Sequence, residues 1–310
     1  MKIALVGAGL IGQAWAIVFA RAGHDVALWD GHPDALVRAP IVIGQLVDDL
    51  KRAGLVDDSF EITSRIRTEA SLEEVLQGAL YVQESLPERV EIKREIFARL
   101  DELAAEEVIL ASSTSSIPVS AFTEKLRGRG RCVIAHPVNP PYLVPVVEIC
   151  GAPWTGELTI QKTWDLMLQV QQKPVHVKKE IEGFILNRLQ GALLREAFRL
   201  VEQGYVDVQG LDTTVRDGLG LRWSFMGPFE TIDLNAPEGL ADYAQRYGPL
   251  YQSIAQAQTS TEPWSAALIQ LVDAQRRALL PKDQLMSRRL WRDQQLMALA
   301  AQRQTPDAEQ

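Results

Sequence analysis

Reactive side chains are scarce in this sequence: 310 residues carry only four histidines and two cysteines. Cys132 and Cys150 stand apart in apolar, strand-like segments with no CxxC spacing. Neither a disulfide framework nor a metal site is expected, and a reducing cytoplasm suits the chain. Positive charge is also short, with 32 Lys and Arg against 40 Asp and Glu, a formal charge of −8. That balance argues against nucleic acid or an anionic membrane surface as the main partner. No low-complexity tract or internal repeat is visible. Apart from the N-terminus, no apolar run approaches the ~20 residues that a membrane span needs, so a soluble protein is expected. The N-terminal run Ile3–Ala20 could pass for a secretory leader, but Gly7, Gly9 and Gly12 interrupt it. A second strand-like run, HDVALWD, follows it and makes sense only if the first is retained.

The first half alternates short apolar runs with amphipathic stretches, which predicts a parallel sheet wrapped by helices. Strands are expected at Lys2–Val6, Asp25–Trp29, Tyr81–Glu84, Val108–Ser112, Cys132–His136, Leu143–Ile149 and Val175–Lys178. Helices are expected at Ile11–Ala22, Ile41–Ala53, Ser71–Gln77, Val90–Leu103, Val119–Lys125 and Thr155–Gln172. The proline-rich His136–Pro145 reads as an ordered loop. From Gly183 the texture becomes helical, beginning with an amphipathic stretch at Phe184–Glu202 and broken by Pro228, Pro237, Pro249, Pro263 and Pro281. The expected architecture is α/β: a Rossmann-type, doubly wound, mostly parallel sheet over residues 1–182, followed by an all-helical domain over 183–310. Gln304–Gln310 reads as a disordered tail.

Gly7, Gly9 and Gly12 form G-x-G-x-x-G directly after the strand KIALV and open the helix IGQAWAIVFA. The three glycines serve a tight turn, close approach of backbone to a pyrophosphate, and close helix–strand packing. Leu10 and Ile11 lie in the helix N-terminus, whose free N–H groups and dipole suit phosphates. Asp30 ends the second strand 18 residues after Gly12, where an acid accepts hydrogen bonds from ribose hydroxyls and repels a 2′-phosphate. NAD is the expected cofactor. NADP stays open because of His32, and so do FAD and a plain glycine turn.

Removing a hydride from a carbinol carbon requires a base for its hydroxyl proton, and histidine is the usual choice. His24 falls at the wrong end of the sheet, His32 belongs to the cofactor side and His176 starts a late, exposed strand. His136 ends a strand at the carboxyl edge, where ligands of such sheets bind. It is either the base or an ordinary structural histidine. Glu148, twelve residues on, could hydrogen-bond the distal ring nitrogen and fix the tautomer, or stand isolated at a strand end. Ser115, in SSTSS after another strand, is a second carboxyl-edge candidate, although serine runs also make turns and caps.

SSTSS, HPVNPP with Glu148 beyond it, GFILNR and MGPFETIDL together resemble the L-3-hydroxyacyl-CoA dehydrogenase superfamily. QESLPERVEIKREIF, HPVNPPYLVPVVEI, EIEGFILNRLQGALLREAFRLVEQG and RRLWRDQQLM resemble, in order, its lambda-crystallin or L-gulonate 3-dehydrogenase branch, over residues 1–303. The resemblance implies His136 as acid/base, Glu148 as its orienting partner, and Ser115 and Asn187 on the substrate oxygen. It also implies Glu88 and Lys93 near the ribose and nicotinamide of NAD, Asn139 as a further cofactor contact, and a helical second domain that forms homodimers. The implied reaction is NAD-dependent oxidation of the 3-hydroxyl of a small, L-gulonate-like L-3-hydroxy acid. An acyl-CoA dehydrogenase, a carnitine dehydrogenase and an NAD-binding crystallin-like structural protein stay open.

The chain departs from the acyl-CoA enzymes in one segment. Pro40–Ile62 carries Asp48, Asp49, Asp57, Asp58 and Glu61 against Lys51 and Arg52, a net −3 that repels a multiply phosphorylated ligand. The C-terminal lysine motif of those enzymes has no counterpart here either. A free carboxylate instead needs a guanidinium fork, for which Arg222 in GLGLRWSFMGPFE is the candidate, with a surface or interface role as the alternative.

Overall fold

A computed structural model describes residues 1–304, so all but the first residue of the expected disordered tail lies outside the described residues. Eight strands form one sheet: β1 (Lys2–Val6), β2 (Asp25–Trp29), β3 (Ile66–Thr68), β4 (Ala79–Glu84), β5 (Ile109–Ser112), β6 (Cys132–Pro137), β7 (Val146–Gly151) and β8 (Lys173–Val177). Their spatial order is β3-β2-β1-β4-β5-β6-β7-β8. Every neighbouring pair is parallel except β6 and β7. Strand order reverses between β1 and β4, which makes their carboxyl ends the topological switch point.

The helices of this part are α1 (Leu10–Arg21), α2 (Pro33–Arg52), α3 (Ser59–Ser64), α4 (Leu72–Leu76), α5 (Val90–Leu103), α6 (Ser120–Thr123) and α7 (Glu157–Gln169). Successive strand residues point to opposite faces, so alternation sorts the core into two layers. Ile3, Leu5, Tyr81, Val133, Ala135, Val147 and Ile149 join Trp15 and Phe19 of α1 on one side. Ala4, Val6, Val82, Leu110, Ile134 and Cys150 join Ile96, Phe97 and Leu100 of α5 on the other. Cys132 and Cys150 are buried, and burial pushes both thiols up to about 12, which removes them as nucleophiles at neutral pH.

The structure differs from the sequence expectation at several points: α2 begins at Pro33 rather than Ile41, with Pro40 inside it, and α3 has no counterpart in the expected helices. Strand β3, IRT, is three residues long and lies at the sheet edge, too short to show a period. The expected strand Leu143–Ile149 starts three residues later, because Leu143 and Val144 instead donate N–H bonds to the Pro140 carbonyl in a turn. The chain is also not divided contiguously near residue 182. One compact unit is Met1–Arg188 together with the C-terminal stretch from Leu290, and the other is Leu189–Arg289. The return has a physical cause, since Met297 of α14 (Leu285–Gln304) is buried in the α1-side core.

The second unit takes up α8 (Leu186–Glu202) from Leu189 and continues with α9 (Val208–Thr213), α10 (Gly220–Trp223), α11 (Pro228–Asp233), α12 (Leu240–Ala257) and α13 (Ala266–Leu279). Gln275 accepts the Val208 N–H at 2.8 Å, and Arg276 pairs with Asp212 at 3.1 Å, joining α9 to α13. Phe198 stacks on Trp264 with ring centres 4.2 Å apart. No helix among the described residues is long and apolar enough to cross a membrane.

Candidate active site

The glycine turn sits at the switch point. Gly7 has φ +111, and a Cβ on it would lie 2.8 Å from the Ser85 backbone after β4. A Cβ on Gly12 would lie 1.8 Å from the Gly7 carbonyl oxygen, so helix and turn touch backbone to backbone. Gly9 faces open space and no side chain caps α1, leaving its first-turn N–H groups around Leu10 and Ile11 uncapped toward the crevice. Asp30 Oδ2 accepts the Ala8 N–H at 2.7 Å and Oδ1 accepts the His32 N–H at 2.8 Å. The carboxylate thus ties the turn to the end of β2 and keeps lone pairs for ribose hydroxyls. This cradle fits a dinucleotide: small residues where backbone must approach, an uncapped helix start, and an acid for the adenosine ribose.

His136 and Glu148 are direct cross-strand partners in the antiparallel β6–β7 pair. Opposed residues project to the same face, which sets His136 Nδ1 2.9 Å from Glu148 Oε2. Glu148 Oε1 accepts the N–H groups of Ile185 and Leu186 at 2.7 and 2.9 Å, closing the start of α8. Burial opposes ionisation of this carboxyl, but the donors from His136, Leu186 and Ile185 outweigh it and hold Glu148 below the ordinary carboxylate range. Nε2 of His136 has no hydrogen-bond partner among the described residues. The ring packs against buried Phe184, centroids 5.7 Å apart.

Glu88 organises the loop that carries Ser115. Its Oε1 accepts the Thr114 hydroxyl at 2.6 Å, the Ser115 and Ser116 N–H groups at 2.9 and 3.0 Å, and the Ser116 hydroxyl at 3.1 Å. Burial would raise this carboxyl, but these donors and the Lys93 charge lower it. Asn187 donates from Nδ2 to the Ser115 carbonyl at 2.8 Å, so the start of α8 is tied to the same loop. Ser115, Asn187, His136 and Glu148 therefore belong to one connected assembly. Asn139 is exposed on the loop after β6.

Lys93 is almost fully buried. Its ammonium lies 3.1 and 3.0 Å from the two Glu84 oxygens and 3.8 Å from Glu88 Oε2. Glu84 also accepts the Leu86 N–H at 2.6 Å and the Ser112 hydroxyl at 2.5 Å. Sequence reading missed Glu84 and Ser112, whose only local signal is a polar residue ending an apolar strand. Arg222 is exposed on α10 in the second unit.

A dinucleotide cradle with a histidine–carboxylate pair on the same sheet edge is the arrangement of a dehydrogenase, and this chain is an NAD-dependent oxidoreductase. Residues 2–181 match the NAD binding domain of 3-hydroxyacyl-CoA dehydrogenase and residues 183–276 its C-terminal domain. The chain belongs to the 3-hydroxyacyl-CoA dehydrogenase family, in its lambda-crystallin branch. It is 42% identical over 303 residues to the lambda-crystallin homolog of Bos taurus, covering 96% of this chain and 94% of that protein. It is 36% identical over 265 residues to an L-carnitine dehydrogenase of Streptomyces griseus subsp. griseus, covering 85% and 76%. Among solved structures it resembles 5-formyl-3-hydroxy-2-methylpyridine 4-carboxylic acid 5-dehydrogenase, described as an NAD+ dependent dismutase, with TM-score 0.80 and 27% identity over 100% of this chain and 99% of that one.

The depressed Glu148 carboxyl sets a pH dependence. A group whose folded pKa is lowered contributes stability above its unfolded value, and that stability is lost as pH falls through the folded value. Glu148→Gln is therefore expected to lower stability to urea at neutral pH. The gap to wild type should shrink below about pH 4, the unfolded carboxylate range. Urea midpoints measured from pH 7 down to pH 3 check this, and a gap that widens in acid contradicts it.

Proposed function

We propose that the chain oxidises the 3-hydroxyl of a small L-3-hydroxy acid bearing a free carboxylate, L-gulonate or a close analogue, to the 3-keto acid. The observation that carries the reading is the His136–Glu148 pair: Nδ1 is engaged by a carboxylate at 2.9 Å, which leaves Nε2 to face a substrate hydroxyl.

NAD, when bound, accepts the hydride. The chain's residues do the rest. Nε2 of His136 takes the hydroxyl proton, and Glu148 stabilises the imidazolium that results. The Ser115 hydroxyl and the Asn187 side chain hold the reacting oxygen, their loop and helix start kept in place by Glu88 and Glu148. Arg222 binds the carboxylate. Relatives named for L-carnitine and for a pyridine carboxylic acid, both free carboxylates, support that substrate class. The net −3 of Pro40–Ile62 speaks against CoA thioesters. We also propose that the protein works in the cytoplasm as a homodimer through its helical unit. Phe225, Phe229 and Leu234, 71, 74 and 68% exposed, support the dimer.

His136→Gln is expected to lower kcat by about 10²–10⁴-fold with NADH affinity nearly unchanged. The assay is NAD reduction with L-gulonate, L-3-hydroxybutyrate and L-carnitine, with acetoacetyl-CoA in the reductive direction as control. Turnover of the CoA ester alone, or a fully active variant, overturns the reading. Arg222→Ala should raise KM for the hydroxy acid about tenfold or more, the loss of a charged hydrogen-bond pair. An unchanged KM removes Arg222 from the site. Sedimentation equilibrium at micromolar concentration tests the dimer, and a monomer throughout contradicts it.

A further inference from the structure

The α1 side of the sheet carries a second polar network that the mechanism above does not use. It joins Trp15, Tyr81, Gln83, Ser113 and Ser85, whose sequence separations reach 98 residues. Proton positions follow from what each atom is able to do. The Ala135 carbonyl only accepts, so the Gln83 amide atom 3.1 Å from it is the NH2 group. Gln83 Oε1 then takes the Tyr81 proton at 2.8 Å. The Gln83 NH2 also donates to Ser113 Oγ at 2.6 Å, and the buried Trp15 indole N–H donates to the same oxygen at 3.1 Å.

A hydroxyl oxygen has two lone pairs, and both on Ser113 are now in use. The Ser113 proton is left for its remaining neighbour, Ser85 Oγ at 2.9 Å. Ser85 is therefore an acceptor inside the network, and its own proton has no protein acceptor among the described residues. Tyr81, Gln83 and Trp15 are fully buried, whereas Ser85 is partly exposed.

Ser85 stands at the switch point. It follows β4 directly, its N–H bonds the Val6 carbonyl at 2.7 Å, and its backbone abuts Gly7. With the adenosine ribose at Asp30 and the pyrophosphate at α1, the chain of the dinucleotide must pass Ser85 to reach the edge where Ser115 and His136 stand. We propose that Ser85 is a cofactor-binding residue whose hydroxyl, directed outward by the Tyr81–Gln83–Ser113 relay, donates to a hydroxyl oxygen of the nicotinamide-side ribose.

This rests on NAD occupying the crevice, and the test separates the two. Isothermal titration calorimetry is run with ADP, which ends at the second phosphate, and with ADP-ribose, which adds the second ribose. Wild type, Ser85→Ala and Ser85→Thr are compared, together with the thermal midpoint of each without ligand. Ser85→Ala should weaken ADP-ribose about 3–10-fold, the net worth of one hydrogen bond, and leave ADP within twofold. Ser85→Thr, which keeps the hydroxyl, should bind ADP-ribose within twofold of wild type and share its unliganded midpoint. Ser85→Ala also removes the acceptor of the Ser113 proton and should lower the midpoint, so that unchanged ADP binding is the sign of an intact crevice. Equal weakening of both ligands, no weakening, or a Ser85→Thr variant that binds ADP-ribose as weakly as Ser85→Ala overturns the role of Ser85. A wild-type protein that binds neither ligand overturns the occupancy itself, and the proposal with it.

Discussion

The reversal of chain direction between β6 and β7 is the constraint on which the catalytic edge depends. In an antiparallel pair, opposed residues project together, so His136 and Glu148 meet without either side chain having to search for the other. A parallel crossover at this point would have carried Glu148 onto a strand running the other way. The same carboxylate then spends its second oxygen on the N–H groups of Ile185 and Leu186 at the start of α8, just before Asn187. One side chain thereby orients the His136 ring, the proposed base, closes the start of the helix and holds the backbone next to Asn187, the proposed substrate contact. Burial and charge are reconciled because three donors meet the two Glu148 oxygens.

The polar groups behind the crevice follow the same two-sided logic as the apolar core. Even-numbered Glu84 and Ser112 fall on the α5 face, beside Lys93, and odd-numbered Gln83 and Ser113 fall on the α1 face, beside Trp15. A buried ion pair such as Glu84–Lys93 gains little net stability once desolvation is counted. Its value here is orientation. Burial pushes the Glu84 carboxyl up, and Lys93, Ser112 and the Leu86 N–H counter that shift. Lys93, held there, faces Glu88, and Glu88 clamps the four backbone and side-chain donors of the 114–116 loop that carries Ser115. The positions proposed for cofactor and substrate are thus coupled through two carboxylates rather than through direct contact.

Under the proposed function, specificity follows from where charge is withheld as much as from where it is placed. The helical segment after β2 carries an excess of acids where a phosphate-bearing ligand would need cations. The proposed small substrate with one carboxylate would carry much less phosphate-like charge to be repelled, and a single guanidinium would be enough to orient it. The cofactor end obeys the same rule, since the Asp30 carboxylate favours ribose hydroxyls and disfavours a 2′-phosphate.

Features that depend on short-range pattern were legible in the amino-acid sequence. The strand–glycine turn–helix unit, Asp30, and His136 at a carboxyl edge all follow from local periodicity and spacing, because each element must satisfy its own backbone geometry and bury its own face. Motif resemblance added Glu88, Lys93, Asn187 and the companionship of Ser115. What sequence left out is non-local. No pattern near Ser85 reveals that Trp15 and Gln83 both donate to Ser113, nothing in IRT marks an edge strand, and the return of α14 to the first core breaks a contiguous division. Only the folded sheet decides these, because strands adjacent in space bring together side chains that are far apart along the chain, and hydrogen-bond directionality exists only once they meet.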